Sequence, residues 1–307
     1  MPGEIRDAIV IFNPRAGRAK RAGAGALQRV QAILAEAGIA SELAPTDGPG
    51  SASELARQAV SAGRQMVIAC GGDGTLNEVV NGMACSQVPL ALLPAGTANI
   101  LAKELRIPWN VESAAKLLVR GRTQRVALGL LTMERAAIPK RYFLSVAGAG
   151  LDGAMVQAVN GKLKHHTGIL AYWAEGLHQF ASYNFPRFRV TAGGETREAT
   201  LIVVGRTKNY GGPFQITTEA DLYGNHFELL ICTTGSRWKY LSYVPMLWAG
   251  RLRKARDAHF VKATSVRCEP LDSGPAWLQV DGELAGSLPA EFRIVPDALT
   301  LVIPEQS

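Results

Sequence analysis

One repeated order of segments constrains this chain more than any other feature. A short apolar run, a polar loop and a helical pattern follow one another several times between residues 7 and 119. DAIVIF (7–12) reads as a buried strand and 19–37 as a helix. SELA (41–44) is a weaker strand. Residues 51–62 form a helical pattern opened by Ser51 and Glu54, the spacing of a capping box. MVIAC (66–70) is again a buried strand, followed by a GGDG turn and a helix over 75–83. PLALLPAG (89–96) is strand plus loop, with helices near 97–105 and 110–119. Alternation of this kind predicts a parallel, doubly wound α/β sheet.

The pattern changes near residue 124. Strand patterns then dominate, at 124–131, 141–147, 185–192, 199–205, 227–232, 260–268 and 276–280. Helical patterns interrupt them at 151–159, 165–182 and 236–249. A mainly antiparallel second domain is expected, giving domains of 1–123 and 124–295. The last strand, ALTLVIP (298–304), suits either sheet, and 296–307 could complete the first domain. A length of 307 residues also favours two cores over one.

A net charge of +7 admits nucleotide phosphates, nucleic acid or an anionic membrane as partners and does not choose among them. Four cysteines, at 70, 85, 232 and 268, include no CxxC pair, so neither a zinc site nor a disulfide framework is indicated. The opening MPGEIRDAIVIF places charges where a signal peptide needs its apolar core, and no apolar run reaches 18 residues. The expected location is cytoplasmic.

Three loops carry the chemistry. Gly71-Gly72-Asp73-Gly74-Thr75 lies between a buried strand and a helix. Ligands of open α/β sheets bind at the carboxyl ends of strands, and helix N-termini offer unpaired N–H groups suited to phosphate. An Asp there would repel phosphate unless it holds Mg²⁺ or a metal-bound water. A tight turn with an N-cap Asp is the plain alternative. Pro94-Ala95-Gly96-Thr97-Ala98-Asn99 follows the next strand, and Asn13-Pro14-Arg15-Ala16-Gly17 follows the first, with Arg18, Lys20 and Arg21 behind it. Thr46, after the second strand, would reach the same edge. Together these loops outline a nucleotide site.

Asn13-Pro14-x-x-Gly17, Gly71-Gly72-Asp73-Gly74-Thr75-x-Asn77-Glu78 and Pro94-x-Gly96-Thr97-x-Asn99 closely resemble the catalytic domain of the diacylglycerol kinase family, which includes bacterial lipid kinases and sphingosine and ceramide kinases. Weaker likeness continues through Phe143, Gly148-x-Gly150-x-Asp152 and Val280-Asp281-Gly282-Glu283. The resemblance implies an N-terminal domain like that of NAD kinases and phosphofructokinases, a C-terminal β-sandwich, and ATP between them. It implies ATP and Mg²⁺ as cofactors, with loop 71–77, Glu78 and Thr97 at the nucleotide and Asn13 and Thr46 nearby. Asp281 and Glu283 would supply the base and Asp73 would serve the metal. The implied partner is a lipid at a membrane surface visited reversibly, diacylglycerol by default, with no nucleic acid and with a homodimer allowed. Without the resemblance, Asp-Gly-Glu after a strand reads as a hairpin turn.

The chain departs from the family pattern in three places. Ile100 and Ala127 stand where many members carry Asp, which thins the acidic network near Asp73. The Asp-Gly that forms a structural Mg²⁺ site in bacterial relatives reads here as Gly224-Asn225, with Asp221 as a substitute ligand. Other signals weigh less. Gly148-Ala149-Gly150-Leu151-Asp152-Gly153 matches a dinucleotide fingerprint, with Glu175 downstream, but sits in the strand-rich half without a βαβ unit. His165-His166 lacks companion ligands. The run from Arg237 to Trp248, ending in Arg251, Arg253, Lys254 and Arg256, reads equally as a core helix or as a membrane-facing one. The rival functions are a soluble-substrate kinase of the NAD kinase type and a nucleotide-binding regulator of weak catalytic power.

Overall fold

The computed structural model describes residues 5–15, 25–134, 136–162, 180, 182–211 and 214–305. The chain divides into two compact units, Met1–Leu128 with Val295–Ser307, and Gly129–Ile294.

In the first unit, β1 (Asp7–Phe12), β2 (Ala40–Pro45), β3 (Val67–Gly71) and β4 (Pro89–Pro94) join the C-terminal part of β18 (Ala290–Ile303). Their order is β2-β1-β3-β4-β18, and every pairing is parallel. The central β3 is buried along its whole length, as its unbroken apolar sequence requires of a strand covered on both faces. The helices are α1 (Gly25–Glu36), α2 (Ser51–Ser61), α3 (Asp73–Met83), α4 (Ile100–Glu104) and α5 (Val111–Leu118). The part of the expected first helix that precedes Gly25 lies outside the described residues. From β1 the chain steps to β2 on one side, then crosses back to β3 on the other. The sheet therefore has its switch point between the ends of β1 and β3, the usual ligand position in such folds.

The expected capping box at Ser51 does not form. Gly50, in a left-handed conformation, takes the cap position and puts Ser51 inside the helix. The Ser51 hydroxyl accepts the N–H groups of Asp47 and Gly48, and Glu54 bonds Arg57 and Gln58. The open N–H groups of α2 go to Glu78 on α3 instead: Gly50 N to Oε1 at 2.9 Å and Ala52 N to Oε2 at 3.1 Å.

The second unit is a sandwich of antiparallel sheets. One layer takes β7 (Val146–Gly150), β10 (Leu201–Gly205), β13 (Phe227–Cys232), β14 (Ala258–Ala263), β16 (Trp277–Val280) and β17 (Glu283–Ser287), in the order β14-β13-β10-β7-β16-β17. The other takes β8 (Phe188–Ala192), β9 (Glu195–Ala199), β15 (Ser265–Pro270) and the start of β18, with a hairpin of β5 (Arg122–Met133) and β6 (Lys140–Phe143). Among the described residues the unit also holds a small separate pair, β11 (Asn209–Gly211) and β12 (Phe214–Gln215), the helices α6 (Leu151–Lys162) and α7 (Arg237–Trp248), and a 3-10 turn at Leu252–Lys254. Phe143, Phe227 and Phe292 meet at its centre, the first two stacked at 5.6 Å and Phe292 edge-on to Phe143 at 6.3 Å.

Two expected strands each prove to be a pair. Residues 260–268 split at Thr264, where the chain leaves one layer for the other. Residues 141–147 split at Leu144-Ser145, for a reason found in the site below. Polar strands that need a hairpin partner, such as ETREA in β9, leave no apolar signature and were not expected. The helix expected over 165–182 falls almost wholly outside the described residues, as do His165, His166 and Glu175.

Candidate active site

The three loops marked in the sequence lie at the carboxyl ends of neighbouring parallel strands: Asn13 after β1, Gly71-Gly72-Asp73 at β3 and Pro94–Asn99 after β4. Gly72 caps α3, and Asp73 begins it. The two later loops are bound to each other. Ala95 N–H reaches the Gly71 carbonyl at 2.9 Å. A Cβ on Gly96 would stand 2.4 Å from the Gly72 Cα, a contact that only a shift of the backbone could relieve. These glycines are thus needed for loop-to-loop contact, whatever else approaches them.

Asp73 fastens the same junction. One carboxylate oxygen accepts the N–H of Asn99 at 2.9 Å and the other that of Ile100 at 2.7 Å. Its negative charge sits at the start of α4, where open N–H groups favour it. Phosphate repulsion by Asp73 is therefore reduced without any metal, a solution the sequence reading did not consider. Asn99 is buried in a left-handed conformation, and its side chain closes a ring with both the N–H and the carbonyl of Gly96.

The remaining nucleotide candidates divide. Asn13 turns its own loop, its side chain accepting Arg15 N–H at 2.8 Å, so that Pro14 and Arg15 form a turn. Thr46 N–H bonds the Phe12 carbonyl at the same sheet edge. Gly74 and Thr75 lie half-buried in the first turn of α3, and Thr97 is exposed. Asn77 is buried, with Asn81 donating to it, and Glu78 is occupied as the cap of α2. Glu78 thus ties α3 to α2, while the Asn77–Asn81 bond stays within α3. Gly17, Arg18, Lys20 and Arg21 lie outside the described residues.

In the second unit, Asp281 and Glu283 play different parts. Asp281 is buried, in a left-handed conformation, and its carboxylate accepts the N–H groups of Leu144, Ser145 and Val146 at 3.0–3.2 Å. Those three donors are lost to the sheet ladder, which explains the break between β6 and β7. Glu283 is more exposed and forms an ion pair with Arg141. Of the two, Glu283 is the more accessible carboxylate; Asp281 anchors the turn.

Sequence reasoning missed the role of Asp152. This carboxyl, at the start of α6, is buried, accepts Gln279 Nε2–H at 2.8 Å and receives the Tyr210 hydroxyl. Gln279 in turn accepts Gly282 N–H at 2.9 Å, so a continuous chain links Asp152 to the Asp-Gly-Glu turn. Burial pushes the Asp152 carboxyl up to about 7, partly offset by the Gln279 hydrogen bond. The supposed dinucleotide fingerprint serves this packing: a Cβ on Gly148 would lie 2.0 Å from an Asp152 carboxylate oxygen. The only sequence signal was an acid immediately after a glycine-rich strand end.

The residues around Asp221 do not fit a divalent cation. The carbonyls of Leu222, Gly224 and His226 converge, but on the guanidinium of Arg206, at 2.6, 2.6 and 3.3 Å. Arg206 is fully buried, and its proton affinity is lowered by desolvation, to a pKa of about 10, with Asp221 opposing. Asp221 itself accepts Tyr223 N–H in a local turn. The expectation of a metal at Asp221 finds no support from these carbonyls, because a side-chain cation holds the loop. Among the described residues no three His, Cys, Asp or Glu side chains converge elsewhere.

A parallel unit with glycine loops at its switch point is joined in sequence to an antiparallel sandwich bearing a carboxylate turn, an architecture suited to a phosphorylated ligand. Comparison with known proteins refines this. The model for the diacylglycerol kinase catalytic domain matches residues 7–131, and that for the YegS C-terminal NAD kinase beta sandwich-like domain matches 145–303. A diacylglycerol kinase of Bacillus subtilis is 28% identical over 98% of both chains, and one of Staphylococcus carnosus 27% over 97% of this chain and 95% of its own. A crystal structure of a diacylglycerol kinase from Bacillus anthracis, 22% identical, shares the fold over 98% of both chains with a TM-score of 0.75. The chain belongs to the diacylglycerol kinase family, and as an enzyme it is a lipid kinase.

Proposed function

We propose that this chain transfers the γ-phosphoryl group of ATP to the hydroxyl of a membrane lipid, with diacylglycerol the default acceptor. The observation that carries this reading is the joined pair of loops at the switch point, Gly71–Thr75 and Gly96–Asn99, fixed to each other by Asp73. The N-terminus of α3 opens at this place, and its N–H groups suit phosphate oxygens. Phosphoryl transfer asks little covalent chemistry of a protein; positioning and charge stabilisation dominate.

Of the loop residues only Asp73 brings a carboxylate. That fits Mg²⁺ carried on nucleotide phosphates, since the ion commonly takes one or two carboxylates and keeps several waters. Asp73 would be its protein ligand, and the ion would supply neutralisation of phosphate charge when bound. Ile100 and Ala127, both buried, offer no second acid. Glu283 would accept the proton of the lipid hydroxyl, a role a carboxylate can fill as the hydroxyl attacks. Arg141 orients it, and Asp281 with Gln279 fixes the turn that carries it.

The test is incubation with radiolabelled ATP, Mg²⁺ and a lipid extract, with the labelled product identified by mass. Labelled phosphatidic acid is the expected result. A different phosphorylated lipid would move the acceptor, and label taken up only in a parallel reaction supplied with NAD would replace the reading with a soluble-substrate kinase.

A further inference from the structure

Helix α7 carries apolar side chains on two faces, beside Arg237, Lys239 and Ser242, and among the described residues only one of those faces is covered. Tyr240 and Tyr243 are buried, with Met246 and Leu247 packed beside them, in a cluster that includes Phe185 and Tyr183. The opposite face carries Trp238, Leu241, Val244 and Trp248, which are 77%, 43%, 46% and 67% exposed. At 100° per residue these four and Pro245 fill an arc of about 120°. Arg237 shares this arc, and an exposed apolar strip edged by cations belongs against a second apolar phase with a charged boundary. The two tryptophans stand about 15 Å apart along the axis, at 1.5 Å per residue. The Trp248 ring is already fixed, edge-on to Phe214 at 5.3 Å.

The turn that leaves α7 supplies charge. Arg251, Lys254 and Arg256 are exposed and make no ion pair among the described residues. Arg253, which the sequence grouped with them, is taken by Glu228 and lies over the Phe260 ring at 4.2 Å. Lys239 is likewise taken, by Asp257. Three cations are thus left beside a strip ending in two tryptophans. Tryptophan favours the headgroup level of a bilayer, and unpaired cations favour an anionic leaflet.

We propose that the outer face of α7, with Arg251, Lys254 and Arg256, docks this chain on the headgroup layer of an anionic bilayer. The purpose of docking rests on the lipid-kinase reading; the docking itself does not. Trp238 and Trp248 enter the interface, and the three cations set the preference for anionic lipid.

The test is co-sedimentation with vesicles of phosphatidylglycerol and phosphatidylcholine, against pure phosphatidylcholine, at low and high salt. Binding to the anionic vesicles with release by salt is expected. R251Q/K254Q/R256Q should weaken that binding roughly a hundredfold, at about a factor of five for each cation. W238S/L241S/W248S should weaken binding to both vesicle types; these exposed positions leave the core untouched, and circular dichroism checks the fold. Unchanged binding by either triple variant overturns the assignment. So does wild-type self-association that W238S/L241S/W248S abolishes, which would give the face to a second copy. Turnover of a short-chain lipid in detergent is measured in parallel. Its absence in wild type would sink the kinase reading alone, whereas its retention by variants that no longer bind vesicles supports docking as a separate device.

Discussion

Replacing Asp152 with Asn should make the folded state more stable at neutral and alkaline pH. The carboxyl is buried and held near 7 instead of the ordinary 3.8. Each tenfold change in proton affinity is about 1.4 kcal/mol, so ionising this group in place costs roughly 4 kcal/mol. The folded value is raised, so its contribution to stability is fully present below about pH 4 and falls as pH rises towards 7. Asn is neutral at every pH, and the Tyr210 hydroxyl can turn from donor to acceptor to suit it. D152N should therefore match wild type or fall slightly below it at pH 4, and exceed it by a few kcal/mol at pH 8. Urea denaturation followed by circular dichroism at half-unit steps from pH 4 to 8.5 measures the difference directly. Groups that titrate in both proteins cancel in that difference. A difference that stays flat between pH 5 and 8 would refute the reasoning, because it would mean that Asp152 ionises as freely folded as unfolded.

Other outcomes follow from the same structure. D73A should lower both ATP affinity and thermal stability, the latter by about 1–3 kcal/mol for lost hydrogen bonds to a charged group; calorimetry that finds only the affinity changed would deny the loop clip. E283Q should reduce kcat by ~10²–10⁴-fold with ATP affinity kept, and a loss under tenfold would remove Glu283 from proton transfer. D281N should instead unfold more readily, because an amide cannot accept all three backbone donors, and an unmet buried donor costs about 1–3 kcal/mol; an unchanged melting temperature with reduced kcat would return Asp281 to the chemistry. EDTA should leave the melting temperature of the nucleotide-free enzyme unchanged, and a fall on chelation would contradict the assignment of Arg206 to the 222–226 loop.

The parts that were legible in the sequence share one property: their evidence is local. Buried strands of the first unit announce themselves as unbroken apolar runs, and glycine loops at their ends place a ligand site before any coordinates exist. The tasks of Asp73, Glu78 and Asp281 were hidden because each carboxylate serves backbone donors far along the chain. Asp73 and Glu78 reach residues 26–28 positions away, and Asp281 reaches more than 130. No motif distinguishes an acid that binds a ligand from one that ties two loops. Resemblance singled out the turn Asp281-Gly282-Glu283 but could not tell its buried anchor from its accessible carboxylate. That division comes from burial and from the three donors of the β6–β7 break. The polar hairpin strands were missed for a related reason, since their pairing depends on neighbours and not on their own composition.

Arg206 has a consequence for the life of this protein in changing surroundings. A loop closed by a dissolved ion is only as ordered as the ion's concentration allows; it empties under chelation and can accept the wrong metal. A guanidinium on the same chain is delivered by translation in fixed stoichiometry, cannot diffuse away and has no competitor. Its pKa of about 10 keeps it charged across the physiological range. Residues 221–226 should therefore keep one shape through swings in magnesium supply.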